Sequence, residues 1–189
     1  MKALEEKILR EGTVLPGNIL KVGSFLNHQL DVGFIMEMGK EIARLFENSG
    51  ATRILTIETS GIAIAVGAAA AMNLPVVFAK KNKSANLSDD LYKTIIHSYT
   101  HGTDYTVVVS KDFIKKGDKV LIIDDFLANG KALLGLIDIV NQAEAEVVGC
   151  SCAIEKGFQK GGDNLRAQGV RVESLAIVES MDNGTVTFR

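Results

Sequence analysis

Cysteine and histidine are scarce in this 189-residue chain, with two of the first and three of the second. Cys150 and Cys152 lie two apart in VVGCSCAI, which reads as a strand, so both side chains point to one face. That pattern suits small buried hydrophobes, and neither a disulfide nor a metal site is expected. His28, His97 and His101 are not spaced as metal ligands, no acidic partner is expected near them, and none is assigned a role. An excess of positive charge is also missing. A net charge of −2 and a pI near 5.9 leave no electrostatic footprint for nucleic acid. No apolar run approaches membrane-spanning length. The opening MKALEEKILREG is charged and helix-like, without the apolar core of a signal peptide, so a cytoplasmic location is expected. Repeats, low-complexity tracts and linkers are lacking too. What remains is one domain over 1–189, with 47% hydrophobic and 23% charged residues.

The most informative stretch runs from Lys119 to Ala132 and reads KVLIIDDFLANGKA. Val120 to Ile123 is an unbroken aliphatic run, suited to a strand buried on both faces of a parallel sheet. It meets two adjacent carboxylates, Asp124 and Asp125, which cannot lie unpaired in an apolar layer. The strand is therefore expected to end there, where open α/β sheets place their ligands. Ala128, Asn129, Gly130, Lys131 and Ala132 form a small-residue turn opening a helix, marked by Leu133, Leu136, Ile137 and Val140. Backbone N–H groups in such a turn and the helix dipole suit a phosphate, and the carboxylates suit hydroxyls or a hydrated metal ion.

Other elements follow in order. A helix is predicted at about residues 2–11, then a turn at Pro16-Gly17 and a short strand from Ile19 to Val22. Residues 23–30 have no clean period. Asp31 to Ser49 carries the stripe Ile35, Met38, Ile42, Leu45 and Phe46, with Gly50 as a stop. Strand 52–57 runs into Thr59, Ser60 and Gly61 and then an Ala-rich helix through Met72, a second strand–turn–helix site. Pro75 to Ala79 is a strand ended by Lys80 and Lys81, with Lys83 close behind. From there to about Asp104 the chain is polar and poorly periodic, and a lid closing over pyrophosphate is expected. Tyr105 to Val109 is predicted to pair with the central strand. Strands at 146–154, 171–178 and 184–188 complete a doubly wound, mostly parallel sheet of α/β class, with Lys156 at the carboxyl edge.

The Asp124–Ala132 stretch resembles the signature of type I phosphoribosyltransferases, which bind 5-phosphoribosyl-1-pyrophosphate (PRPP) at two acidic residues and a small phosphate loop. It departs from the commonest form, in which Thr-Gly-Gly-Thr stands where this chain has Asn129, Gly130, Lys131 and Ala132. Through LKVGSFLNHQLD near the start, ETSGIAIA at 58–65 and AIEKGF at 153–158, the whole chain is similar to xanthine-specific bacterial members of that family. The resemblance implies a small hood, from about 12–30 and the C-terminal segment, in which Leu20 and Asn27 touch the purine together with Lys156. It also implies PRPP contacts from Thr59, Ser60, Gly61, Lys80, Lys81 and residues 128–132. Catalytic Asp124 and Asp125, Mg²⁺ held mainly through PRPP, and a homodimer are further implications. Adenine- or guanine/hypoxanthine-specific enzymes, and a PRPP-sensing regulator of the same fold, stay open as alternatives.

Overall fold

The computed structural model describes residues 1–81, 90–98 and 103–189. Its centre is a six-stranded sheet built on the buried strand β7 (Lys119–Leu127). On one side β7 pairs with β3 (Arg53–Ile57) and β3 with β4 (Val76–Ala79); on the other it pairs with β8 (Glu146–Lys156), then β9 (Val172–Ser180). All of these pairings are parallel. The short β10 (Thr187–Phe188) adds antiparallel to β9.

Period-two alternation explains how the sheet is covered. Ile54, Leu121, Ile123, Ala153 and Leu175 point to one face, where they meet α1 (Lys2–Glu11), α2 (Val32–Leu45) and α3 (Gly61–Met72). Leu55, Val120, Ile122, Cys150 and Cys152 point to the other, where α4 (Lys131–Gln142) and α5 (Gly161–Ala167) cover them through Leu133, Leu136, Ile139, Val140 and Leu165. The chain leaves β3 toward one edge and β7 toward the other. Their carboxyl ends therefore diverge and open a crevice, the place where doubly wound sheets bind ligands.

Several boundaries differ from expectation. The strand carrying the acidic pair does not stop at Ile123 but continues through both carboxylates to Leu127. Helix α2 is shorter than the Asp31–Ser49 prediction, with Asp31 as N-cap accepting the Phe34 N–H at 3.1 Å and the helix ending at Leu45. Tyr105 to Val109 does not join the central strand. It lies in β6 (Thr103–Ser110), which pairs antiparallel with β5 (Leu91–Ser98) as a separate ribbon. That ribbon is tied to the end of β4 by paired backbone bonds between Lys80 and Val108, each 2.9 Å, and β5 packs on α4. Part of the segment expected to be an irregular lid is thus regular strand. The rest of it, residues 82–89 and 99–102, including Lys83, lies outside the described residues.

At the N-terminus, β1 (Thr13–Leu15) and β2 (Ile19–Lys21) form a hairpin whose turn places Gly17 and Asn18 at positive φ. A single π-type turn, Gly23–Asn27, follows and buries Phe25 and Leu26. It is fastened by Lys7, whose ammonium reaches Asp31 at 2.8 Å and Glu11 at 3.2 Å and lies near the Phe25 and Phe34 rings. β1 also touches the Asp182–Gly184 turn, so the two ends of the chain meet above the crevice.

Candidate active site

Asp124 and Asp125 lie on successive positions of β7, with their carboxyl groups close enough to interact. Asp124 is buried, 5% exposed, and accepts the Asp125 N–H at 2.9 Å. Burial pushes its carboxyl well above the usual carboxylate range, and the Asp125 charge adds to the effect, opposed by Lys81. Gly61, first residue of α3, presses against it. A Cβ there would stand 3.0 Å from Asp124 Oδ1 and 2.4 Å from the hydroxyl of Thr56, which has no hydrogen-bond partner among the described residues. Glycine is what lets the 58–61 turn reach the acidic strand so closely. Two strand–turn–helix sites, far apart in sequence, thereby face one carboxylate.

The 58–61 turn is joined to the lysines through Glu58, whose Oε1 accepts the Lys81 N–H at 2.6 Å. Lys81 Nζ lies 5.5 Å from the centre of the Tyr105 ring. Tyr105 itself is half-buried, and burial, then the Asp124 charge, raises its hydroxyl pKa. Thr59 is exposed and Ser60 half-buried, both open to a ligand approaching α3 along its axis.

Beyond β7, Ala128 and Asn129 lead to Gly130, which caps α4 at φ 84°. Asn129 Oδ1 accepts the Lys131 N–H at 3.1 Å, closing a small Asx turn. Lys131 and Ala132 already belong to the first turn of the helix, so the cradle is tighter than a five-residue loop. Ala128, Asn129, Lys131 and Ala132 line a cleft of about 510 Å³ with Lys156, Asn18, Tyr105 and His97. The ribbon thus forms one wall of the cleft beside the 128–132 turn. His97 was expected to lack an acidic partner, yet its Nδ1 stands 2.5 Å from Asp104 Oδ1 across the ribbon; a cross-strand neighbour of this kind carries no local signal.

The hood meets the acidic pair directly. Asn27 Nδ2 donates to Asp125 Oδ2 at 2.6 Å. Lys156 Nζ donates to the Asn18 carbonyl at 2.9 Å and lies 5.7 Å from the centre of the Phe126 ring, and half-burial lowers its pKa. Leu20, Asn27 and Phe126 line an adjoining cleft of about 800 Å³ under the hairpin. Lys156 lines the first cleft, and Ile19 lines both.

Over residues 28–182 the chain matches the phosphoribosyl transferase domain. It belongs to the phosphoribosyltransferase family. It is 57% identical to the xanthine phosphoribosyltransferase of Clostridioides difficile over 190 aligned positions, covering 100% of both chains. With that of Acinetobacter baumannii it shares 53% identity, covering 100% of this chain and 98% of the other. Among solved structures, the adenine phosphoribosyltransferase of Rhodothermus marinus superposes with a TM-score of 0.74 at 24% identity, covering 94% of this chain and 100% of that one. The enzyme of the same name from Leishmania tarentolae also gives 0.74, at 21% identity, covering 94% and 88%. Those likenesses show the shared fold.

As a phosphoribosyltransferase, this chain gathers its sequence-predicted residues into three groups around one pair of carboxylates. Gly61 abuts Asp124, Asn27 bonds Asp125, and the Ala128–Ala132 turn follows directly on their strand. Lys80 is engaged through its backbone, as a bridge to the ribbon. Sequence patterns did not reveal Phe126, Asn18, Tyr105 or His97 as cleft residues. Phe126 alone had a usable signal, since it follows the acidic pair on the same strand.

Proposed function

We propose that the chain transfers the 5-phosphoribosyl group of PRPP to N9 of xanthine, giving xanthosine 5′-monophosphate and pyrophosphate. The bond from the anomeric carbon to pyrophosphate breaks, the bond to N9 forms, and the N9 proton is lost. The observation that carries this reading is the convergence of two helix-capping turns and the hood on Asp124 and Asp125. Xanthine is favoured as acceptor by identities above 50% with xanthine phosphoribosyltransferases over the full chain.

Each group then has a chemical role. The 128–132 turn offers backbone N–H groups and the Lys131 charge to the 5′-phosphate, a fixed handle that orients the reacting carbon. Asp124 and Asp125 accept from the ribose hydroxyls and place negative charge beside a ring that becomes positive in the transition state. Thr59, Ser60, the start of α3 and the lysines at 80 and 81 receive pyrophosphate. Among the described residues no three His, Cys, Asp or Glu side chains cluster as a metal site, and two adjacent carboxylates fit a cation carried in mainly by PRPP. Mg²⁺ so held supplies neutralising charge for the departing pyrophosphate.

Base choice rests on Lys156 and Asn27. An ammonium has donors only, so it bonds the O6 acceptor of an oxopurine and repels the amino group of adenine. One of its three protons is used on Asn18, which aims the group across the cleft. The Asn27 amide, freed from Asp125 as ribose hydroxyls take that carboxylate, donates to the 2-carbonyl that xanthine has and hypoxanthine lacks. Steady-state rates with all four purines test the proposal.

We further propose a cytoplasmic homodimer. No helix among the described residues is long and apolar enough to cross a membrane. Phe78, 41% exposed, and Phe113, 56% exposed, flank a groove along edge strand β4 that offers an apolar face to a second copy. Light scattering at micromolar concentration tests the assembly.

A further inference from the structure

We propose that a buried ion pair between Glu155 and Arg166 positions the phosphate turn, acting through the first residues of α5. The proposal rests on reading residues 128–132 as the 5′-phosphate cradle.

Glu155 is wholly buried near the end of β8, opposite Leu127, the residue just before the turn. A carboxylate in that position must be paired. Arg166 supplies a two-pronged partner, Nη1 to Oε1 at 3.0 Å and Nη2 to Oε2 at 2.7 Å. The Ser174 hydroxyl donates to Oε2 as well, and Arg166 Nε donates to the Val172 carbonyl at 3.1 Å. Four groups from β8, α5 and β9 are thereby tied together. Buried ion pairs of this kind often add no more stability than apolar residues of the same size, and what this one adds is a fixed geometry.

The geometry leads to the turn. α5 lies so close over Glu155 that a Cβ on Gly162 would stand 2.1 Å from Oε1. The preceding Gly161 donates its N–H to the Ala128 carbonyl at 3.1 Å. A Cβ on Gly161 would come within 2.2 Å of that same oxygen and 2.6 Å of Gly130 N. The backbone meant to wrap a phosphate therefore leans on the start of α5, and α5 is set by the ion pair. None of these groups touches substrate. Glu155 and Arg166 are positioning residues.

The test is a comparison of steady-state constants for Arg166→Lys, which keeps the charge and loses the fork, and for Ser174→Ala, which removes one hydroxyl from Glu155. A misplacement near 1 Å costs on the order of 10²-fold, so Arg166→Lys is expected to raise the KM for PRPP at least about tenfold while the KM for xanthine stays within about twofold. Ser174→Ala moves the same constant in the same direction by less. Should Arg166→Lys fail to fold, Ser174→Ala and the neutral pair variant Glu155→Gln/Arg166→Met carry the test, with the same PRPP-selective rise expected. Unchanged constants, or equal rises for both substrates, overturn the positioning role. Lys131→Ala, measured alongside, separates the two levels of the proposal. If it raises the KM for PRPP and the ion-pair variants do not, the cradle stands and the positioning role falls. If it too leaves that KM unchanged, the cradle assignment falls and the inference falls with it.

Discussion

Asp124→Asn separates stability from activity at the centre of the site. The native carboxyl is 5% exposed, and burial pushes its pKa well upward. In the unfolded chain the same group loses its proton near about pH 4. Between that value and the higher native one, the folded protein binds the proton and the unfolded chain does not. Stability contributed by the group is therefore complete at low pH and lost as pH rises, at about 1.4 kcal/mol per pH unit within the window. Asparagine matches the shape and does not titrate. For a domain of this size 1 kcal/mol moves Tm by about 2–4 °C, so the melting temperature of the variant should gain measurably on wild type as pH rises above about 4. Turnover should fall at least about tenfold, because a group that can ionise beside the ribose ring when substrate and cation arrive is gone. Differential scanning fluorimetry across pH, paired with pyrophosphate release, reads both effects. A variant that keeps wild-type turnover, or whose Tm difference does not change with pH, refutes the reasoning.

Three further perturbations probe other parts of the site. Lys156→Met should weaken xanthine, guanine and hypoxanthine together, whereas Asn27→Leu should erode mainly the preference for xanthine; equal losses on all three from Asn27→Leu would show that the amide does not read position 2. Gly61→Ala places a methyl 2.4 Å from the Thr56 hydroxyl and 3.0 Å from Asp124 Oδ1, so α3 must shift, and kcat/KM for PRPP should drop about tenfold or more in a protein that still melts cooperatively. Cys150 and Cys152 are buried, with burial pushing the Cys150 thiol up to about 12 and the Cys152 thiol higher still. Ellman's reagent should react with neither in the native protein and with both in urea, and rapid native labelling would contradict their burial.

The sheet and its candidate ligand edge were legible because their signals are local. Val120 to Ile123 alternates between two hydrophobic layers, and each of the turns at 58–61 and 128–130 falls between an apolar strand and a helix. The missed elements have weak signals for physical reasons. In β5, Ile96 is buried while neighbouring Ile95 is 70% exposed, so a ribbon with one wet face shows no continuous apolar run. Helix α5 is seven residues long, opens with two glycines and buries only Leu165 among large side chains, which leaves no stripe to count. The contacts that join hood to sheet span 98 residues in Asn27–Asp125 and 138 in Lys156–Asn18. Such pairings depend on topology, and no local pattern specifies them. The Asp pair was expected at the very end of the strand, because two carboxylates look incompatible with a buried strand. Asp124 is accommodated there at the expense of its ordinary acidity.

The central claim is that this chain is a PRPP-dependent transferase with xanthine as its preferred acceptor. Pyrophosphate release with PRPP and Mg²⁺, measured separately with xanthine, guanine, hypoxanthine and adenine, tests it most directly. The account predicts the highest kcat/KM for xanthine, lower values for guanine and hypoxanthine, and the lowest for adenine. A preference for adenine, or no PRPP-dependent release with any of the four, would contradict it.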